Sequence, residues 1–397
     1  MEQSLPQQRE PDLDFRLDED WRVVEGLLPL GWMDKARELN AFRRARGIVD
    51  PRALLRVMLI HLAEGCGLRE TAARAALAGL ADVSDVALLK RLRSCGAWFE
   101  WLARQLREQL QLRGESPGAV PELLAGRTLK AVDGSVVTEP GATGSMWRLH
   151  YCISLPQLQC QQVHLGLRDE GETLRRFEVS AGDVLLADRG YAHPSGIAHV
   201  KRRGADVIVR INLVTLPLQE PDTGRRLDVL ARARTLQIGQ AGAWPAVVTL
   251  KGKASSKPAE HIAGRLCIVR KTNEAAQKAR KRVQRESQRN GSALQPQTLE
   301  AADYVLIFTT LGDEVPAQQV MEVYRLRWQI ELEFKRLKSL IELGHLKKHD
   351  EQSARSWLQG KLLVAMLITR LIAHSERISP WGYEISWLEA QTQLPVA

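Results

Sequence analysis

A few short, unbroken apolar runs limit the folds open to this chain more than any other feature. In 184-VLLADRGY-191 four apolar residues run without a polar break into Asp188. A run so short, with no alternation, is the mark of a strand covered on both faces. The stretches 206-DVIVRIN-212 and 304-YVLIFTTL-311 have the same texture. Upstream, 128-TLKAVDGS-135 reads as a strand ending at Asp133, and 147-WRLHYCISL-155 and 160-CQQVHLGL-167 as two more, joined by a turn at Pro156. A short helix over about 171–178 precedes the buried strand, and a helix over about 194–203 follows it. Three strands, helix, strand, helix, strand is an α/β layout around a mixed sheet.

The chain before this layout has a different period. From about 21 to 112 the apolar spacing is helical. Asp50-Pro51 places an N-cap before a proline at the first helical position. A second helix covers about 68–77; Ser84 caps a third, over 85–94, which Gly96 should stop, and a fourth runs over 97–110. Lys90, Arg91 and Arg93 share the third helix. That fits a helical domain that touches DNA, and equally a plain bundle with a solvated basic face. Residues 114–121 read as a linker.

Past the α/β stretch, 226-RLDVLARA-233, 245-PAVVTLKG-252 and 265-RLCIVRKT-272 read as short strand-like pieces. Between Lys271 and Arg289 lie seven Lys/Arg and two Glu, a net charge of +5, which reads as a phosphate-contacting segment or as a solvated helix or loop. The whole chain carries +9 over 397 residues, a balance that favours a polyanionic partner. Its 44% apolar and 26% charged content is that of a globular protein long enough for two or three cores. Cys66, Cys95, Cys152, Cys160 and Cys267 form no C-x-x-C pair, which argues for reduced thiols rather than a disulfide framework or a zinc site. The first twenty residues hold seven Asp/Glu and two Arg, so a mobile acidic arm is expected and a signal peptide is not. The longest apolar run lies within 362-LLVAMLI-368, short of the ~20 residues that cross a bilayer. A cytoplasmic protein, with no membrane partner, is the expectation.

Asp133 and Asp188 each close an apolar strand, where a carboxylate can face the crevice in which α/β sheets bind ligands. Each is also followed by a turn, DGS and DRG, so each taken alone reads more readily as a turn or cap residue. The third acidic position comes from a helix that Val315-Pro316 opens. At about 100° per residue, Tyr324, Arg327, Glu331 and Lys338 share a stripe about 60° wide, bordering the apolar face of Val323, Ile330, Phe334, Leu337 and Ile341. A Glu beside the buried face points to a cleft more readily than to solvent. Three carboxylates from two strand ends and a helix suit a hard cation such as Mg²⁺, and two such ions suit phosphodiester chemistry. Arg327 and Lys338 could neutralise phosphate charge.

The spacing Y-(2)-R-(3)-E-(6)-K of Tyr324, Arg327, Glu331 and Lys338 resembles the YREK signature of the cut-and-paste DDE transposases of bacterial insertion sequences. Asp133 in 131-AVDGS-135 resembles that family's first catalytic Asp, Asp188 in 186-LADRGY-191 its second, and Glu331 the Glu. The separations are 55 and 143 residues. The similarity covers about 128–372. It implies a ribonuclease-H-like catalytic core over 121–212 and 301–350, split by a strand-rich insertion over 213–300. A helical DNA-binding domain over 21–120 would precede it, the acidic arm over 1–20 would lead it, and a helical region over 351–397 would follow as a dimerisation surface or as simple packing. Asp133, Asp188 and Glu331 would hold two Mg²⁺ ions, with Mn²⁺ able to substitute. Water would cleave the element ends, and the freed 3′-OH would attack target DNA. Tyr324, Arg327, Lys338, Arg189 and Lys335 would contact DNA. Trp328 would either hold a displaced base or pack in the core. Trp244, the one tryptophan in the insertion, is a poor fit as a second base holder. The partners implied are double-stranded DNA and a second copy of the chain, in the bacterial cytoplasm at the nucleoid. A catalytically silent DNA-binding relic and a metal-dependent nuclease without strand transfer are the alternatives.

Overall fold

The computed structural model describes residues 21–112, 122–138, 147–155, 158–167, 169–251, 259–344, 346, 348 and 350–375. The acidic arm, the linker over 114–121, the turn at Pro156 and the stretch beyond 375 lie outside them. In chain order the main elements are α1 (Trp32–Glu38), α2 (Pro51–Ala63), α3 (Leu68–Leu77), α4 (Asp85–Leu112), β1 (Thr128–Val137), β2 (Trp147–Leu155), β3 (Cys160–Leu167), β4 (Asp183–Ala187), α5 (Pro194–Lys201), β5 (Asp206–Arg210) and β6 (Leu218–Gln219). Then follow α6 (Val229–Arg234), β7 (Ala241–Leu250), β8 (Glu260–Arg270), α7 (Asn273–Arg289), α8 (Pro296–Ala301), β9 (Tyr304–Thr309), α9 (Ala317–Arg325), α10 (Trp328–Leu340) and α11 (Glu351–Ser375). They form two compact units, one spanning Met1–Gly114, Val137–Gly144 and Arg336–Ala397, the other Glu115–Val136 and Ser145–Lys335.

In the helical unit Asp50 caps α2 as its sequence implies, its carboxylate accepting from the Ala53 N–H at 2.8 Å. Gly96 does not stop a helix: α4 runs unbroken through it. The glycine serves packing instead. A Cβ there would stand 2.7 Å from the Ser356 Oγ of α11, so the missing side chain lets the two helices close up. Ser356 donates to the Arg93 carbonyl at 3.2 Å, and Arg93 pairs with Asp350 at 2.9 Å. Arg91 donates to the Arg44 carbonyl at 2.7 Å and lies over the Phe42 ring. Two of the three cations expected on a basic face are therefore engaged within the unit. Helix α11 is long and apolar enough over Glu351–His374 to cross a membrane, yet 72% of its most apolar window is buried in the protein. It is a core helix, with Trp357, Leu358, Leu362 and Leu363 all buried.

The second unit is built on one nine-stranded mixed sheet, ordered β3-β2-β1-β4-β5-β9-β8-β7-β6. Strands β1, β4 and β5 are parallel neighbours, and β5, β9, β8, β7 and β6 pair antiparallel. The pieces beyond residue 213 thus extend the same sheet, because β8 pairs with β9 from Arg265↔Thr309 to Arg270↔Tyr304. One core runs under both halves: Val132, Leu185, Val207 and Ile197 belong to the same buried cluster as Val248, Leu266, Ile268 and Phe308. The β4 and β5 runs are buried as their texture requires. Three local expectations fail. Residues 229–234 are helix, not strand, because Asp228 caps them through the Ala231 N–H at 2.9 Å while Leu230 and Ala233 turn inward. The helix expected over 171–178 is a single 3-10 turn at Leu174–Arg176. The helix opened by Val315-Pro316 is two helices, α9 and α10, which break at Leu326–Arg327. There the N–H groups of Leu326, Arg327, Gln329 and Ile330 bond back three residues rather than four, a 3-10 tightening that ends one helix and starts the next.

All five cysteines are free and buried.

Candidate active site

The parallel pairing of β1 and β4 sets the site. The last paired residues are Val132↔Ala187, so Asp133 and Asp188 emerge side by side at the same level of two neighbouring strands. Strand β1 itself does not end at Asp133; it runs on to Val137, past the end of β4. The end of β4 leaves an open crevice edge, the usual ligand position in such sheets.

Arg327 gathers the acidic groups. Its guanidinium lies 2.5 Å from Glu331 and 3.6 Å from Asp133. The Tyr324 ring stands under it at 5.7 Å, and the Tyr324 hydroxyl makes a long hydrogen bond of 3.5 Å to Asp188. Arg327 stands at the break between α9 and α10, and its side chain is 11% exposed, against 42% for Glu331. The apolar face beside this stripe is buried at Val323, Ile330, Phe334, Leu337 and Ile341, as its spacing implies. The four stripe residues do not lie on one continuous helix.

Burial pushes the Asp133 carboxyl up to about 6. The Gly134 N–H, donating at 2.8 Å, and Arg327 pull it down, but Asp188 and Glu172 push it back up. Burial would lower Arg327, yet Tyr324, Glu331, Asp188 and Asp133 together hold it above its ordinary value. Burial also raises Tyr324, keeping its hydroxyl protonated.

The donor set is the kind that suits a hard divalent cation: acceptor-only carboxylate oxygens around a buried acid that Arg327 alone leaves under-compensated. Among the described residues no three acidic, histidine or cysteine side chains are grouped closely enough to hold a metal ion with the side chains as placed. Arg327 is the cation that Asp133 and Glu331 touch.

The remaining expected residues lie as follows. Trp328 is 53% exposed, which excludes core packing, and Lys335 stands 6.0 Å from its ring. It lines a cleft of about 710 Å³ with Arg210, Lys271, Tyr324, Arg325 and Arg327. Arg189 reaches Glu286 of α7 at 4.0 Å. Both line a second cavity, of about 490 Å³, with Asp188, Arg210, Lys278 and Arg282. The basic run is therefore a helix, of which Lys278 and Arg282 line the cavity with Asp188 while Arg280 pairs with Asp303. Lys338 follows Glu331 by seven residues and belongs to the helical unit, where its stem runs beside Gly344. Trp244 covers Gly242 next to Leu236 and packs on the core cluster.

Three residues at the site, Glu172, Arg148 and His150, carry no signal in the sequence. Glu172 lies against Gly134 and Gly190, and Arg148 of β2 donates to it at 3.2 Å. Tyr191, fully buried, meets His150 Nδ1 at 3.2 Å behind them. Strand β2 brings in Arg148 and His150, and the stretch before the 3-10 turn at Leu174–Arg176 brings in Glu172.

Residues 164–367 match the family described as Transposase DDE domain, a span that holds Asp188 and Glu331 and begins after Asp133. The chain is 38% identical over 349 residues to InsL of insertion sequence element IS186A of Escherichia coli (strain K12), covering 87% of this chain and 91% of that one. It is 37% identical over 350 residues to the transposase of IS421 of Escherichia coli, with the same shares. A more distant match is the transposase of IS231F of Bacillus thuringiensis subsp. israelensis, 26% identical over 194 residues, covering 47% of this chain and 41% of that one. With paired aspartates at adjacent strand ends, an arginine-bound glutamate beside them and relatives matched over nearly their whole length, the chain belongs to the DDE transposases of insertion sequence elements.

Proposed function

We propose that Asp133, Asp188 and Glu331 are the catalytic carboxylates of this transposase and that the sheet around them is a ribonuclease-H-like core. One observation carries the reading: a single buried guanidinium, Arg327, lies against Asp133 and Glu331 while its neighbour Tyr324 bonds Asp188. The same three carboxylates would hold two Mg²⁺ ions, or Mn²⁺ in their place, and such ions activate water and stabilise a leaving oxygen in phosphodiester cleavage. The reaction is hydrolysis at the element ends followed by attack of the freed 3′-OH on target DNA.

The protein's own groups divide the remaining work. Asp133 and Asp188 fix the acidic centre on two rigid strand ends. Arg327 holds the carboxylates together against their mutual repulsion and offers its remaining N–H groups to a phosphate. Tyr324, protonated, donates to an oxygen at the Asp188 side. Lys338 we assign to DNA by its spacing in the YREK pattern. Trp328, exposed over its cleft beside Lys335, presents a face on which an unstacked base can rest. Arg189 and the α7 cations contact the DNA backbone past Asp188. Two copies act together, because two ends must be paired before joining.

The test is incubation of the protein with Mg²⁺, a target plasmid and DNA carrying the element's terminal inverted repeats. Cleaved 3′ ends joined to the plasmid are expected; cleavage without joining would leave a nuclease. Asp133→Asn, Asp188→Asn and Glu331→Gln should each abolish cleavage and retain end binding. Cleavage by any of the three at near the unaltered rate refutes the assignment.

A further inference from the structure

Glu172 sits where a fourth acidic group changes the charge of the site. Its carboxylate lies between the residue after Asp133 and the second residue after Asp188: a Cβ at Gly190 would overlap it, and a Cβ at Gly134 would stand 3.2 Å from it. Neither glycine has a positive φ, so the space for Glu172, not backbone conformation, explains why both lack a side chain. Arg148, one strand over, donates to the same carboxylate at 3.2 Å. The Tyr191 hydroxyl, behind Gly134, brings no charge.

The ion pairs at the site join Asp133 and Glu331 to Arg327, and Glu172 to Arg148, while Tyr324 bonds Asp188. We propose that Glu172 is a positioning residue of this active site, held by Arg148 between the two strand ends, whose negative charge strengthens divalent-cation binding at Asp133 and Asp188. The proposal rests on the reading of those aspartates as cation-binding groups. The competing role is structural: Glu172 as no more than a counter-ion for Arg148. Glutamine separates the two, because it keeps the volume and an acceptor oxygen for Arg148 and removes only the charge.

The experiment is calorimetric titration of the full chain with Mn²⁺ alone, for the unaltered protein, Asp133→Asn, Glu172→Gln and Arg148→Gln, each checked by thermal melting. Glu172→Gln should bind Mn²⁺ about tenfold more weakly, the scale of one charge acting across several ångströms at intermediate dielectric. Cleavage should need correspondingly more Mn²⁺ and recover at saturation. Arg148→Gln, which leaves Glu172 without its counter-charge, should bind Mn²⁺ more tightly, and it decides the matter should Glu172→Gln fail to fold. Unchanged Mn²⁺ affinity in Glu172→Gln, or unchanged or weaker affinity in Arg148→Gln, overturns the proposal. Should Asp133→Asn abolish Mn²⁺ binding while Glu172→Gln leaves it intact, only the role of Glu172 falls. Should Asp133→Asn leave Mn²⁺ binding unchanged, the cation reading of the aspartates falls with it.

Discussion

Arg327 offers the sharpest test of how this site is held. Replacing it by methionine keeps much of the stem and removes the charge that touches Asp133 and Glu331. Removing one partner of a fully buried pair costs about 3–5 kcal/mol, because the other charge is left without compensation. Here the Asp133 side chain is 21% exposed and Glu331 42%, so water recovers part of that cost. A loss of about 2 kcal/mol is the expected outcome for Arg327→Met without metal, and under ~1 kcal/mol for Arg327→Lys, which keeps the charge but not the fork. Urea unfolding in the presence of a chelator measures both. A divalent ion that binds only the folded protein returns about 2.7 kcal/mol at a hundred times its dissociation constant, so Mg²⁺ should restore most of the loss in the methionine variant. Both variants should be defective in end cleavage even with Mg²⁺. Equal or greater stability of Arg327→Met in chelator would refute the view that the guanidinium holds mutually repelling carboxylates together.

Three further outcomes are expected. Gly96→Ala gains about 1 kcal/mol in helix propensity but overlaps Ser356, so it should be destabilising by ~1 kcal/mol net, and Gly96→Ala/Ser356→Ala should reverse the sign; thermal melts of the two variants decide. His150 is buried, and burial first, then Arg176, Arg148 and His164, lower it to about 4 while Glu170 opposes them. The unfolded chain therefore takes up a proton near the ordinary 6.5 that the folded chain refuses, and stability falls as pH drops from about 6.5 to 4, by up to about 3 kcal/mol. His150→Gln should flatten that part of the stability profile; an unchanged acid limb would refute it. Lys278→Glu with Arg282→Glu should weaken end binding and reduce its salt slope by about 0.9 for each phosphate no longer neutralised, whereas an unchanged slope in filter binding makes α7 a solvated helix.

Much of this site was legible before folding. Asp188 follows a short apolar run with the texture of a buried strand, and Asp50 caps α2 where its proline neighbour says it should. The buried face of Val323, Ile330 and Phe334 is a matter of helical period. Each of these signals is local: a cap, a run or a period is decided by groups within four residues along the chain, and the chain displays them directly. What tertiary structure alone decided has the opposite character. Gly96 reads as a stop, and becomes a crossing point because Ser356, far along the chain, packs against it. Residues 265–272 read as a short strand-like piece, and the strand observed there, β8, belongs to the central sheet because β9 offers it an edge. Tyr324, Arg327 and Glu331 read as one stripe on one helix, but the helix breaks at Leu326–Arg327, and there Arg327 meets Asp133 and Glu331 while Tyr324 bonds Asp188. Glu172 gives no signal at all, since a carboxylate in a polar turn looks the same whether it meets solvent or two strand ends. Sequence determined which groups could do this chemistry; long-range packing, which no local pattern encodes, decided which of them meet.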